Sequence, residues 1–132
     1  MSAASTRSMT TSDPGAGQAL LLSVDVGSTS ARAGVFDTHG HMLATASTAF
    51  TVHRPQAEHA EHASTQIWEA VGTSVRKAIA ASAQPAARIA GVAFDATCSL
   101  VMLDAAGSPV TVSTTGDDAI NVVMWADHRA TE

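Results

Sequence analysis

Tyrosine is absent from these 132 residues, and three phenylalanines and two tryptophans are the only other large aromatics. A core built from this chain therefore consists of small and branched side chains, since apolar residues still make up 45% and many are alanine. The single cysteine, Cys98, excludes an intramolecular disulfide framework and suits a reducing compartment, so the cytoplasm is the expected setting. Seven Lys and Arg against twelve Asp and Glu leave a net charge of −5, which argues against a nucleic-acid or anionic-membrane surface. No apolar run approaches the roughly eighteen residues that cross a membrane. Neither G-x-x-x-x-G-K-[ST] nor G-x-G-x-x-G occurs, so P-loop and Rossmann nucleotide sites lack support. His59-Ala60-Glu61-His62 has neither further ligands at metal spacing nor a His-Glu-x-x-His signature, and is expected to be a solvated loop.

What is present suffices for one domain at most, burying about two-thirds of the unfolded surface if it folds compactly. Residues 1–18 are expected to be a disordered leader. The first seventeen, MSAASTRSMTTSDPGAG, carry almost no large apolar side chains with which to offset their ordering entropy. One arginine, Arg7, is too little for a transit peptide, and Leu20–Leu22 is too short an apolar centre for a secretory signal.

The most informative stretch is LLLSVDVGSTSARAGVFD, from Leu20 to Asp37. Leu20 to Val26 is a nearly unbroken apolar run, as expected of a central strand covered on both faces. Asp25 interrupts it, and an ionised carboxylate there needs a partner or a cation. Gly27, Ser28, Thr29 and Ser30 reverse the chain, and a second strand begins at Ala31 with Arg32 near its start. A turn of small residues offers backbone N–H groups and hydroxyls to phosphate oxygens. Arg32 can add charge-assisted hydrogen bonds, and Asp25 can hold Mg²⁺ directly or through its waters. The plainer reading is an ordinary hairpin in which Asp25 and Arg32 pair with each other.

Further on, Met42 to Val52 reads as a third strand and His53 to Ala63 as a polar loop. Ser64 is the expected N-cap of an amphipathic helix with Ile67, Val71, Val75 and Ile79 on one stripe and Trp68 alongside. The helix should end near Ser82, stopped by Pro85. Arg88 to Phe94, Cys98 to Leu103, Val110 to Val112 and Asn121 to Trp125 are the remaining strand candidates. The result is an α/β fold with a mixed sheet and one long helix. One helix covers only one face, so an N-terminal piece of a longer protein is expected.

Two polar junctions stand out. Asp95-Ala96-Thr97-Cys98-Ser99 lies at the carboxyl end of an apolar strand, where ligands bind in open α/β sheets. Its hydroxyls have the alternative of satisfying turn backbone groups, and Cys98 that of being a small buried hydrophobe. Trp125-Ala126-Asp127-His128-Arg129 combines an aromatic plate, a carboxylate and a guanidinium, groups that recognise sugar hydroxyls. Its alternative is a surface Asp–Arg pair worth little. Gly116-Asp117-Asp118 and Asn121 precede it, and the two adjacent acids read as a solvated turn.

The hairpin pattern D-x-G-[ST]-T-S-x-R resembles the first phosphate-binding hairpin of the actin-like ATPase superfamily. FDATCSLVMLD and WADHRA are similar to the FGGY family of carbohydrate kinases, in its ribulokinase-like branch. The resemblance runs from about Leu20 to the last residue and implies an actin-like ATPase (ribonuclease H-like) fold, here incomplete, over residues 19–132. It implies transfer of the ATP γ-phosphoryl to a hydroxyl of a pentulose or pentitol, D-ribulose foremost, with ATP and Mg²⁺ as cofactors. It places Mg²⁺ at Asp25, phosphates at Gly27, Ser28, Thr29, Ser30 and Arg32, and sugar at Thr97, Cys98, Trp125, Asp127 and Arg129. No residue matches the family's general base, an aspartate expected beyond Glu132, so the chain alone should not turn over substrate. Partners expected are a small sugar or polyol and, in the full-length protein, a second copy in a homodimer. Nucleic acid and membranes are not expected. Other readings are an actin-like nucleotide-binding module used for switching, and a truncated product without activity.

Overall fold

Along the first strand, β1 (Leu20–Val26), Leu20, Leu22 and Val24 are buried while Leu21, Ser23 and Asp25 are not. That period of two is the mark of a strand with one covered face. In the computed structural model, which describes residues 17–130, β1 is the centre of the principal sheet. All of the expected leader except Gly17 and Gln18 lies outside the described residues.

Strand β1 pairs antiparallel with β2 (Ser30–Asp37), which pairs antiparallel with β3 (Met42–Ala49). On its other side β1 runs parallel to β5 (Ile89–Ala96), giving the order β3-β2-β1-β5. A parallel neighbour requires a crossover, and α1 (Ser64–Ser82) supplies most of it. The remaining strands are two-residue pieces: β4 (Glu61–His62), β6 (Leu100–Val101) and β7 (Val122–Val123), in a second sheet of order β4-β7-β6.

Helix α1 ends at Ser82 as expected and includes Ser64 as its first residue, and the face it buries is Ala70, Val71, Ser74 and Ala78. Small residues at a four-residue spacing let its backbone lie close to β2 and β3. Val75 and Ile79 pack at the margin of this contact, and Trp68 is 70% exposed. Ser74 Oγ donates to the Ala31 carbonyl at 2.9 Å and shares a second hydrogen bond with Thr48 Oγ1. Against this face stand Leu20, Leu22, Val24, Ala31, Ala33 and Val35.

The N-cap is Ala63, not Ser64, and no side chain of the helix itself caps it. Asn121, fully buried, does that work from a distant segment: its Oδ1 accepts the Ser64 N–H at 2.9 Å and its Nδ2 donates to the Met102 carbonyl at 3.0 Å. At the other end Ala83 takes a left-handed conformation, φ 53°, and its N–H reaches the Ala80 carbonyl. Pro85 then prevents continuation.

Three sequence expectations need correction. Strand β1 is covered on one face, because Leu21 is 46% exposed and α1 is the one long helix among the described residues. The segment 53–63 is no solvated loop: Glu61 and His62 form β4, an isolated bridge joins His53 to Glu61, and His59, Glu61 and His62 are buried. Strand candidates at Cys98–Leu103 and Asn121–Trp125 shrink to two residues each, and Val110–Val112 forms none. On β5, Val92 and Phe94 are register partners of Leu22 and Val24, yet both are more than half exposed. The helix packs over β1, β2 and β3, and the sheet is incomplete beyond it.

Candidate active site

The turn between β1 and β2 is closed by a hydrogen bond from Gly27 N–H to the Ser30 carbonyl at 3.0 Å. Arg32 folds back over it and meets Asp25 across the antiparallel register, Arg32 Nη2 to Asp25 Oδ2 at 2.7 Å. A Cβ on residue 27 would lie 3.2 Å from Arg32 Nη2, so glycine makes room for the guanidinium. Asp25 is no buried charge inside an apolar run. Its side chain is 48% exposed on the face that α1 leaves open. Ion pairing at such exposure contributes little to stability, which leaves both groups available to a ligand. The Thr29 carbonyl accepts the Phe50 N–H at 3.0 Å, tying the turn to the end of β3.

Strand β5 sets Asp95 beside Asp25 in parallel register, so the two carboxylates share the open face. Asp95 belongs to the junction where a ligand is expected, but its place beside Asp25 is not legible in the sequence. Its strand was legible but its register against β1 was not. Among the described residues no cluster of three acidic, histidine or cysteine side chains stands ready to hold a metal alone. Oxygen donors from one or two carboxylates, exposed to water, fit Mg²⁺, which keeps waters and phosphate oxygens as its other ligands.

At the end of β5 the Thr97 N–H donates to the Val26 carbonyl at 3.1 Å, holding the junction next to the turn. Thr97 Oγ1 and Ser99 Oγ are 3.2 Å apart, and Ser99 Oγ accepts the Trp125 N–H at 3.3 Å. Trp125 Nε1 in turn donates to Ser28 Oγ at 2.9 Å. The turn, the β5–β6 junction and the tryptophan thus meet at one place. Cys98 at that junction is exposed, not a buried hydrophobe.

Asp127 and Arg129 are not a surface pair. Asp127 Oδ1 accepts Arg129 N and Nε (3.1 and 2.8 Å), and Oδ2 accepts Ala60 N and Arg129 Nη2, each at 2.7 Å. These bonds fill a carboxylate's acceptor sites. Arg129 also donates to the Val112 carbonyl (3.0 Å) and Glu61 Oε1 (2.7 Å). Four of the five guanidinium N–H donors are engaged, leaving one. The Arg129 hydrogen bonds, opposed by burial, hold the Asp127 carboxyl well below the usual range. The same bonds keep Arg129 more firmly protonated.

Glu61 is fully buried, and sequence reasoning missed it because its partner lies 68 residues away. Its Oε2, with His53 Nε2, His59 Nδ1 and His62 Nε2, is buried without a hydrogen-bond partner. Burial pushes the His62 imidazole down, against the Ser28 backbone, which favours its charged form. Phe50 meets the same ring edge-on at 5.2 Å.

Residues 20–132 match the model of the "FGGY family of carbohydrate kinases, N-terminal domain". The chain belongs to the FGGY family. A human FGGY carbohydrate kinase domain-containing protein is 42% identical over 107 residues, which are 81% of this chain and 19% of the relative. A D-ribulokinase of Saccharomyces cerevisiae is 38% identical over 110 residues, 81% of this chain and 15% of that one. Among solved structures, a xylulose kinase from Rhodospirillum rubrum aligns with a TM-score of 0.73 at 19% identity, covering 85% of this chain and 21% of its own. A gluconate kinase from Lactobacillus acidophilus gives 0.71 at 20% identity, covering 84% and 20%. These neighbours establish the actin-like fold, of which this FGGY chain holds the opening sheet and helix. The chain spans about a fifth of the length of the curated relatives it matches.

Proposed function

We propose that this chain supplies the phosphate turn and part of the sugar floor of an ATP-dependent kinase for pentuloses or pentitols, D-ribulose first among them. The observation that carries the reading is the hydrogen bond from Trp125 to Ser28, which sets the aromatic plate against the phosphate turn. Phosphoryl transfer demands that proximity, since its catalysis is mostly positioning and charge neutralisation. The yeast D-ribulokinase relative supports the choice of sugar, whereas glycerol kinases are more distant, a Geobacter example being 31% identical.

In this reading Gly27, Ser28, Thr29, Ser30 and Arg32 hold nucleotide phosphates. Asp25, with Asp95 beside it, holds Mg²⁺, which neutralises phosphate charge when bound. Thr97, Cys98, Trp125 and the remaining N–H of Arg129 face the sugar, and Asp127 acts by holding Arg129. The sugar hydroxyl oxygen bonds to the γ-phosphorus as the bond to ADP breaks. Its proton passes to an aspartate supplied by the longer protein, which we place in the cytoplasm as a homodimer.

The test is a coupled ADP-release assay on the full open reading frame and on this chain. D-ribulose, L-ribulose, D-xylulose, ribitol and glycerol are offered in turn. Release is expected from the longer protein alone, with D-ribulose giving the highest kcat/KM. Release only with glycerol would overturn the pentulose assignment. Turnover by the 132-residue chain itself would overturn the placement of the base.

A further inference from the structure

Ser28 and Trp125 are 97 residues apart in sequence, and the bond between them is short. An indole N–H only donates, so this contact fixes which edge of the ring faces the turn. The tryptophan main chain is held separately, through Ser99 Oγ to the β5–β6 junction. Trp125 as a whole is 57% exposed, so burial does not clamp the plane of its ring. Ser28 is the group that does.

A serine hydroxyl that accepts the indole proton still has its own hydrogen to give. A phosphate oxygen in the turn takes that hydrogen, and a hydroxyl that donates becomes a better acceptor in the same chain. We propose that Ser28 is a positioning residue whose hydroxyl aims the Trp125 indole and transmits occupancy of the phosphate turn to the aromatic plate. The role of that plate as a sugar floor rests on the kinase reading above, while the bond itself is testable without it.

The experiment uses the 132-residue chain with ¹⁵N-labelled tryptophan, and Trp68→Phe assigns the Trp125 indole resonance. Ser28→Ala should move that resonance upfield and make the ring more accessible to acrylamide. Ser28→Thr, which keeps the hydroxyl, should restore both. Magnesium pyrophosphate, at concentrations that perturb the Gly27–Ser30 amides, should shift the indole downfield in the wild type and not in Ser28→Ala. In the full-length protein Ser28→Ala should weaken D-ribulose binding about five- to tenfold, as expected for one lost hydrogen bond. An indole resonance that ignores Ser28→Ala would overturn the proposal, as would an equal pyrophosphate response in both proteins. If the indole responds as expected but no sugar binds any variant, the positioning role stands and the sugar assignment falls.

Discussion

Glu61, Asp127 and Arg129 place two carboxylates around one guanidinium, and His59 Nδ1 lies 3.6 Å from Glu61 Oε1. Removing the guanidinium would strand a fully buried carboxylate. Arg129→Met should therefore cost about 3 kcal/mol in chemical denaturation, and Arg129→Met with Glu61→Gln distinctly less. A second carboxylate, Asp37, closes the β2–β3 turn. Burial pushes it up, but hydrogen bonds from the His41 backbone and ring and from the His39 backbone prevail and hold it at about 2. Both Asp127 and Asp37 are depressed in the folded state, so their contributions are complete above the ordinary carboxylate pKa of about 4 and are lost as pH falls through the folded values. His62 is depressed as well. The unfolded state takes up its proton first, below about pH 6.5, and this too destabilises the fold on acidification. Urea midpoints should fall steadily from pH 7 to pH 3, and Asp37→Asn should flatten the most acidic part. A midpoint independent of pH would contradict these assignments.

At the scale of elements, the hairpin and α1 were legible because their information is local. An apolar run, a turn of small residues and a four-residue apolar repeat each state a period. What was not legible depends on long-range partners. Strand β4 is a Glu-His dipeptide whose burial is intelligible only with Val122, Val123 and Arg129 in view. The helix starts one residue earlier than a Ser64 cap implies, and the hydrogen bond that caps it comes from Asn121 and not from Ser64. Asn121→Ala should strand the Ser64 N–H, leave the Met102 carbonyl with the Val110 N–H alone, and cost about 2 kcal/mol in thermal or chemical unfolding. Ser64→Ala should be nearly silent. Equal losses in the two variants would return the cap to Ser64. In the candidate site the tight turn of small residues, Gly27 to Ser30, is readable from residue types alone. The placing of Asp95 beside Asp25, and of Trp125 against Ser28, required the register of β5 and the path of the chain after β7.

For the whole molecule, the principal sheet has one helical cover among the described residues and leaves Val92 and Phe94 of β5 exposed, as the second sheet leaves Leu100 and Val101 of β6. Neighbouring apolar side chains of this size draw proteins together. The 132-residue chain should self-associate in sedimentation velocity as its concentration rises, and Phe94→Thr with Val92→Thr should reduce that association. A monomer unaffected by these substitutions would show that the apolar side chains find cover within the chain.

The central claim is that Asp25 and the turn beside it serve phosphoryl transfer to a sugar. The most direct measurement is kcat for D-ribulose-dependent ADP release by the full-length protein and its Asp25→Ala variant, with folding checked by circular dichroism. The account predicts a loss of at least about a hundredfold in kcat, the scale of removing one electrostatic group from a charged transition state, with the spectrum unchanged. A variant that keeps wild-type kcat would show that Asp25 does no more than pair with Arg32, and the assignment of the turn to phosphate would fail with it.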